Sequence, residues 1–556
     1  MKSLGRKSSC FVRLLLALGL AMIVSGLNAQ EGSQTHQRVG LPHDWTHSHV
    51  LFSGNALLTN PALAEAEPRV VHQWLRQNLA RFPNSAAHRE SEFRSHHKSP
   101  LHRDWSVSLG TGRVAAGMSP AKFSFDTTAL PDCANDYVVF GLAVAGTAGQ
   151  ANLIAFNDLY SGPGGICNAT NPSVFFSYNT STIGGTITTS PVLSLDGKKI
   201  AFVETTGGSS IFHVLTWATG AGNGTSATTP AVPGVGNTAS MTSLTYAAAN
   251  NTRSSPWIDY KNDIAYVGAN NGRVYKITGV FNGTPTLAGA PWPLNVGGGN
   301  TITSPVLDYT TGRLFVGDAV GRLSSVNYVT PGTVATLAVG SATTVTNRAV
   351  RDAPIVDQSN GVVYAISSND GTSAVLVQAS TATLAELARA RIGRGSTTGT
   401  TVNLYDGSPD NSYFNAPATG SFLVCGTGAA DTTPTLYRFG FVGTTLNTAP
   451  TSTAQIVNNQ GARCSPITEF FNPNVGTGGT DFFFFGLTSN CVGRAGSGCV
   501  MSLTGGSTMT TGPAETGGTS SIVMDNESLS GQASSIYFTT LAAPNRAVKV
   551  TQSGLQ

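Results

Sequence analysis

The chain has 556 residues, with 32 Lys+Arg, 29 Asp+Glu and only 11% charged positions, which excludes the concentrated basic surface of a nucleic-acid binder or of a protein held on an anionic membrane. Four of the cations, Lys2, Arg6, Lys7 and Arg13, precede an apolar run from Leu14 to Val24, and without them 28 Lys+Arg stand against 29 Asp+Glu. That run is shorter than the roughly 20 residues a membrane span needs, and no later stretch of that length lacks polar residues, so no transmembrane segment is expected.

Residues 1–29 read as a secretory signal peptide: a basic start, an apolar centre, then Leu27-Asn28-Ala29 before Gln30. No cysteine follows the cleavage position, so a lipid anchor is not indicated and a secreted or periplasmic protein is expected. Six cysteines remain beyond it, Cys133, Cys167, Cys425, Cys464, Cys491 and Cys499, and an even count in an exported chain fits three disulfides. Nearness in sequence suggests Cys133–Cys167, Cys425–Cys464 and Cys491–Cys499, although six cysteines permit about 15 pairings and the sequence does not choose among them.

A His-rich extension follows over residues 30–104. It holds nine of the ten histidines and fifteen charges, whereas the 452 residues from Trp105 onward hold His213 alone and 42 charges, a step that sets the domain boundary there. Between Pro68 and Pro83, Val71, Trp74, Leu75, Leu79 and Phe82 fall at helical spacing and predict one amphipathic helix over about 68–82. Its polar, aperiodic flanks read as extended or partly disordered. Within them, Gly-Leu-Pro-His-Asp-Trp-Thr-His-Ser-His places His43, His47 and His49 close together, with His96, His97 and His102 farther on. Imidazoles suit Zn²⁺ and Cu²⁺, so a transition-metal site is one reading. Against it, the cluster has no cysteine, Asp44 is its nearest carboxylate, and neither a helix for H-x-x-x-H nor a strand for H-x-H is marked. The other reading is a docking segment, with Trp45 and Phe52 packing on the following domain or on a partner.

From Trp105 the chain is rich in Gly, Ser and Thr, with short apolar runs between turn residues, which predicts all-β structure. Three segments starting at Ser255, Ser304 and Ala353 align without gaps; their prolines, Pro256, Pro305 and Pro354, stand 49 residues apart, as do Pro417 and Pro466. A period of this size with several strands per unit predicts a β-propeller. Further copies start near Thr189 and Cys464, and one apolar strand per unit, from Tyr137 to the last near Tyr537, gives eight blades. Seven stays open, because the first and last units can merge where a ring closes. In each unit, Ser-Pro opens an inner strand where a missing N–H is tolerated. The acids that follow, Asp259, Asp308, Asp357 and Glu469, are placed to accept N–H bonds in a polar turn.

The phrase Ser-Pro-Val-x-Asp, then Gly-x-Leu-Phe-Val-Gly, then Gly-Arg-Leu, clearest from Ser304 to Leu323 and traceable from about Thr189 to Ile366, resembles the PQQ-like repeats of quinoprotein alcohol dehydrogenases and of the outer-membrane assembly propeller. The resemblance implies an eight-bladed ring around a central channel and says little about function. This sequence departs from the catalytic branch: no two cysteines are adjacent, Thr311-Gly312 is followed by Arg313-Leu314-Phe315 without the recurring tryptophan, and C-x-x-C-H is absent. His213, the one propeller histidine, alternates within a strand, and no G-x-S-x-G elbow occurs. The recurrence of the repeat acids favours turn capping over a catalytic carboxylate pair, and the Asn-Asn-Gly and Asp-Ala-Val-Gly turns lack the ligands of a calcium loop. The expectation is an exported, non-catalytic binding or scaffold propeller with no cofactor, taking a protein, glycan or surface partner through the insertions Ala218–Ser240 and Gly393–Ser412. The alternatives are a channel-centred enzyme of quinoprotein type, using PQQ, or a metal-binding protein using the N-terminal histidines.

Overall fold

The structure, a computed structural model, describes residues 40–78, 101–125, 131–167, 170–181, 184–343, 347–397, 401–472, 475, 477–494, 496–525, 532 and 535–552. Residues 1–29, expected to be a signal peptide, residues 79–82 of the expected helix, His96 and His97 lie outside the described residues. Eight sheets follow one another along the chain as the blades of a propeller. Their innermost strands are Ala121–Ser124, Val192–Leu193, Trp257–Asp259, Val306–Asp308, Ile355–Asp357, Ser408–Pro409, Thr468–Asn472 and Val523–Asp525 in blades 1 to 8. Blade 8 settles the closure: Leu101–Ser108 pairs antiparallel with the C-terminal strand Arg546–Gln552, in register from Leu101 opposite Gln552 to Ser108 opposite Arg546. The ring therefore begins at Leu101, ahead of the composition step at Trp105, because the polar Leu-His-Arg-Asp stretch supplies the outermost strand of the last blade.

Blade strands are apolar on both faces because each sheet packs against two neighbours. Tyr137–Gly141, Val362–Ser367 and Ser535–Thr539 are buried throughout. Three disulfides, Cys133–Cys167, Cys425–Cys464 and Cys491–Cys499, tie the chain; the second lies in the apolar layer between blades 6 and 7.

Every inner strand with a Ser-Pro start runs from that serine end of the channel toward the turn that follows it. At that far end, which we call the aspartate end, three of the repeat acids cap turns. Asp259 accepts from the Asn262 amide at 3.1 Å, Asp308 from the amides of Thr310 and Thr311 and the Thr311 hydroxyl, and Asp357 from the amides of Ser359 and Asn360. Glu469 differs. It stands inside its strand opposite Phe483, because the blade 7 inner strand continues to Asn472 where the others have already turned.

The extension is ordered over 40–78, contrary to the expectation for its flanks, and becomes part of the ring. Strand β1 (Leu41–His43) adds antiparallel to the inner strand of blade 1 and strand β2 (Val50–Leu51) adds parallel to that of blade 5. With those directions the segment enters the channel from the aspartate end, turns over Asp44–His49 near the serine end, and returns. Helix α1 (Arg69–Asn78) lies within the expected helix, starting after Pro68 as a first-turn proline allows. Replacing Asp308 by Ala strands two turn amides and a hydroxyl and is expected to cost about 1–3 kcal/mol, read as a lowered urea midpoint with an unchanged slope.

Candidate functional site in the channel

Two clusters hold the inserted segment, and the histidines divide between them. Toward the aspartate end, Arg69 is 1% exposed and donates from Nη1 to both Glu67 oxygens at 2.8 Å, from Nε to Thr46 Oγ1 at 2.7 Å and from Nη2 to the Ile258 carbonyl at 3.0 Å. Its guanidinium lies 4.3 Å from the Trp257 ring centre and 4.7 Å from that of Tyr260, a desolvated cation between two aromatic faces. The Thr46 hydroxyl donates in turn to Asp44, whose other oxygen accepts the Leu193 amide of blade 2 at 3.2 Å. Burial raises the Asp44 carboxyl, but His47, Arg69 and Thr46 outweigh it and bring it down to about 2.

His43 and His47 stack at 6.0 Å, and His47 Nε2 lies 3.0 Å from His72 Nδ1 of α1. These rings form a buried stack beside Asp44. His49, grouped with them by spacing, turns the other way. Trp45 and Phe52 are both buried, at 5% and 3% exposure; Trp45 meets the edge of Trp257, and the Phe52 amide and carbonyl are both held by the Gln73 side chain. His102 sits on blade 8, paired with Asp104. His213 is buried between Ser243 and Glu204 within blade 2.

At the serine end the inserted tip faces a ring built by the repeat. The Ser119 amide donates to Ser190 Oγ, the Ser190 amide to Ser255 Oγ and the Ser255 amide to Ser304 Oγ, each at 2.8 Å. The series stops at blade 5, where the serine is replaced by Ala353. There the Asp352 carboxylate takes over, accepting the Ala353 amide at 3.0 Å and the Asp406 amide of the next blade at 3.3 Å. His49 Nδ1 lies 3.1 Å from Asp406 Oδ2, and ligand-capable atoms of His49, Asp352 and Asp406 all fall within 4.8 Å of one another. The three line a small polar cavity with Trp45, Ser48 and Met118. Gly117 narrows it: a Cβ there would stand 2.2 Å from the Tyr405 ring.

Burial and the charge of Asp352 push the Asp406 carboxyl up to about 7, only partly offset by His49. Burial draws the His49 imidazole down, but Asp406 and Asp352 more than compensate and its net shift is upward. Neither Asp352 nor Asp406 was among the acids marked by the repeat. Asp352 carries the one readable signal, an Arg-Asp-Ala-Pro where the neighbouring unit has Thr-Ser-Pro. Asp406 lies in the insertion Gly393–Ser412, expected to be a binding loop. The structure corrects that expectation: Val402, Leu404, Asp410 and Asn411 are buried there, because the stretch builds the entry to blade 6. The other insertion, Ala218–Ser240, folds partly onto the outer strand of blade 1, where the Ser177 amide donates to Asn223 and the Ala231 amide to Ser177. Its tip, with Val232 and Val235, is exposed.

No family model matches the chain, and no curated protein matches it. Among solved structures it is similar to BamB from Moraxella catarrhalis, at 13% identity over 81% of this chain and 97% of that one with a TM-score of 0.42. It is also similar to the Dos1 propeller, at 11% identity over 81% and 95% with a TM-score of 0.47, and to the computationally designed Ika8 protein, at 12% identity over 81% and 99% with a TM-score of 0.41.

Two outcomes test the docked segment. Arg69→Ala leaves Glu67 buried without its partner and is expected to cost about 3–5 kcal/mol, seen as new protease cleavage within residues 40–78, whereas the paired change Glu67→Gln with Arg69→Met costs clearly less. Burial, with His47, His43 and Arg69, holds His72 well below its ordinary 6.5 against the pull of Asp44. A depressed folded-state value means that the unfolded chain binds the extra proton. This contribution is therefore complete above pH 6.5 and is lost as pH falls toward the folded-state value, by at most about 1.4 kcal/mol per pH unit. Thermal midpoints between pH 7.5 and 5 measure it, and His72→Gln is expected to flatten the decline.

Proposed function

We propose that this chain is an exported, non-catalytic propeller of the PQQ-like repeat type that binds a protein or glycan partner on the outside of its ring. The observation that carries the reading is the inserted segment. Residues 41–51 occupy the channel with added strands on blades 1 and 5, so the place where a propeller enzyme would seat a planar quinone is taken by the chain's own Trp45–His49 turn. Filling the channel also cross-braces opposite sides of the ring, which suits a rigid scaffold presenting loops. The three disulfides fit an oxidising compartment outside the cytosol.

The exposed loop tip at Val232 and Val235, 47% and 67% accessible, supports the Ala218–Ser240 insertion as the recognition element. Its base is fixed to blade 1, which lowers the entropy lost when a partner orders the tip. The test immobilises the full mature chain and compares it with Val232→Asp/Val235→Asp and Asp406→Asn variants against a panel of envelope proteins and purified glycans. The reading expects a partner whose affinity falls at least tenfold with the loop variant and is unchanged by the channel variant. Alcohol oxidation with added PQQ and an artificial electron acceptor, abolished by Asp352→Asn, would instead establish the channel enzyme.

A further inference from the structure

We propose that His49, Asp352 and Asp406 form a binding site for a divalent transition cation of the zinc or manganese kind, which clips the inserted segment to blades 5 and 6. The repeat changes at these acids. Blades 1 to 4 join at the serine end by amide-to-serine bonds; at blade 5 the serine is missing and a carboxylate stands in, with a second carboxylate from blade 6 beside it. The two acids thus stand where the amide-to-serine series of blades 1 to 4 ends, a departure from the repeat of the kind that marks functional positions.

The donor set fits a cation. One imidazole nitrogen and two carboxylates are ordinary ligands of Zn²⁺ and also serve Mn²⁺. Ligands about 2.1 Å from a tetrahedral ion stand about 3.4 Å apart, and the His49 Nδ1 to Asp406 Oδ2 separation is 3.1 Å. Asp352 is already oriented by the amides of Ala353 and Asp406, the outer support that ligating carboxylates use.

An independent observation points to a ligand. His49 Nδ1 and Asp406 Oδ2 are both buried and face each other, yet neither makes a hydrogen bond with acceptable geometry to any group. A proton shared between them requires an in-line approach; two ligands of one ion do not. Buried polar atoms without a hydrogen bond are uncommon and call for an ion or water to satisfy them. Exposed Ser48 on the cavity wall gives the ion a way in.

The test is titration of the metal-stripped full mature chain with Zn²⁺ and, separately, Mn²⁺, each alone, by calorimetry and by thermal midpoint. We expect one ion per chain and a midpoint raised by binding, with affinity reduced at least 100-fold in Asp406→Asn and in Asp352→Asn and unchanged in His43→Gln. Thermal midpoints of the variants in chelator separate lost binding from lost folding. Full-affinity binding that survives both aspartate substitutions, or no stoichiometric binding of either ion by the intact chain, would overturn the assignment.

Discussion

Arg69 is a guanidinium removed from water and held by two oxygens of Glu67, the Thr46 hydroxyl, the Ile258 carbonyl and the faces of Trp257 and Tyr260. Desolvating a charge costs several kcal/mol unless the surroundings replace every hydrogen bond it leaves behind, and here they come from the extension and blade 3 together. The fully made contact set therefore exists only with the segment seated. Strands of three and two residues would not hold a peptide in a channel on their own. What gives them a fixed register is the chain of bonds running from Arg69 through Thr46 and Asp44 to the Leu193 amide.

The two ends of the channel are thus closed by different chemistry. At the aspartate end the turn-capping acids are also recruited to the insert: Ser53 donates to Asp357 at 2.8 Å while Tyr413 donates to the same oxygen at 2.7 Å. At the serine end the insert meets hydroxyls on one side and two carboxylates on the other. One segment accordingly joins a stability function, through burial of Leu41, Trp45, Val50, Leu51 and Phe52 at about 1.5–3 kcal/mol for each large side chain, to a site that the ring lacks without it.

The architecture was legible because propeller physics repeats: a proline at an inner-strand start, an acid before a turn and an apolar strand recur from unit to unit, at a constant interval through Pro256, Pro305 and Pro354. Pro417 fitted that interval but lies in a short 3-10 turn, and blade 6 opens at Ser408–Pro409 instead. The site was legible only in part. His49 was marked by its spacing to His43 and His47, but spacing could not show that His47 meets His72 of α1 while His49 meets Asp406 of blade 6. Asp352 and Asp406 belong to different blades and meet only when the ring closes, and Asp406 was hidden in a Thr- and Gly-rich stretch whose composition resembles a surface loop. Nothing local distinguished Arg69 from the other arginines of the extension; its burial follows from where the helix lands. Glu469 shows the converse limit, a repeat position whose role changed when its strand lengthened.

The central claim, that residues 41–52 are a built-in part of the propeller, is tested most directly by hydrogen exchange of their backbone amides in the full chain at neutral pH. Protection comparable to that of the inner strands of blades 1 and 5, lost together with those of α1 when Arg69 is replaced, is the result this account predicts. Exchange at the rate of an unstructured peptide, with the inner strands still protected, would contradict it.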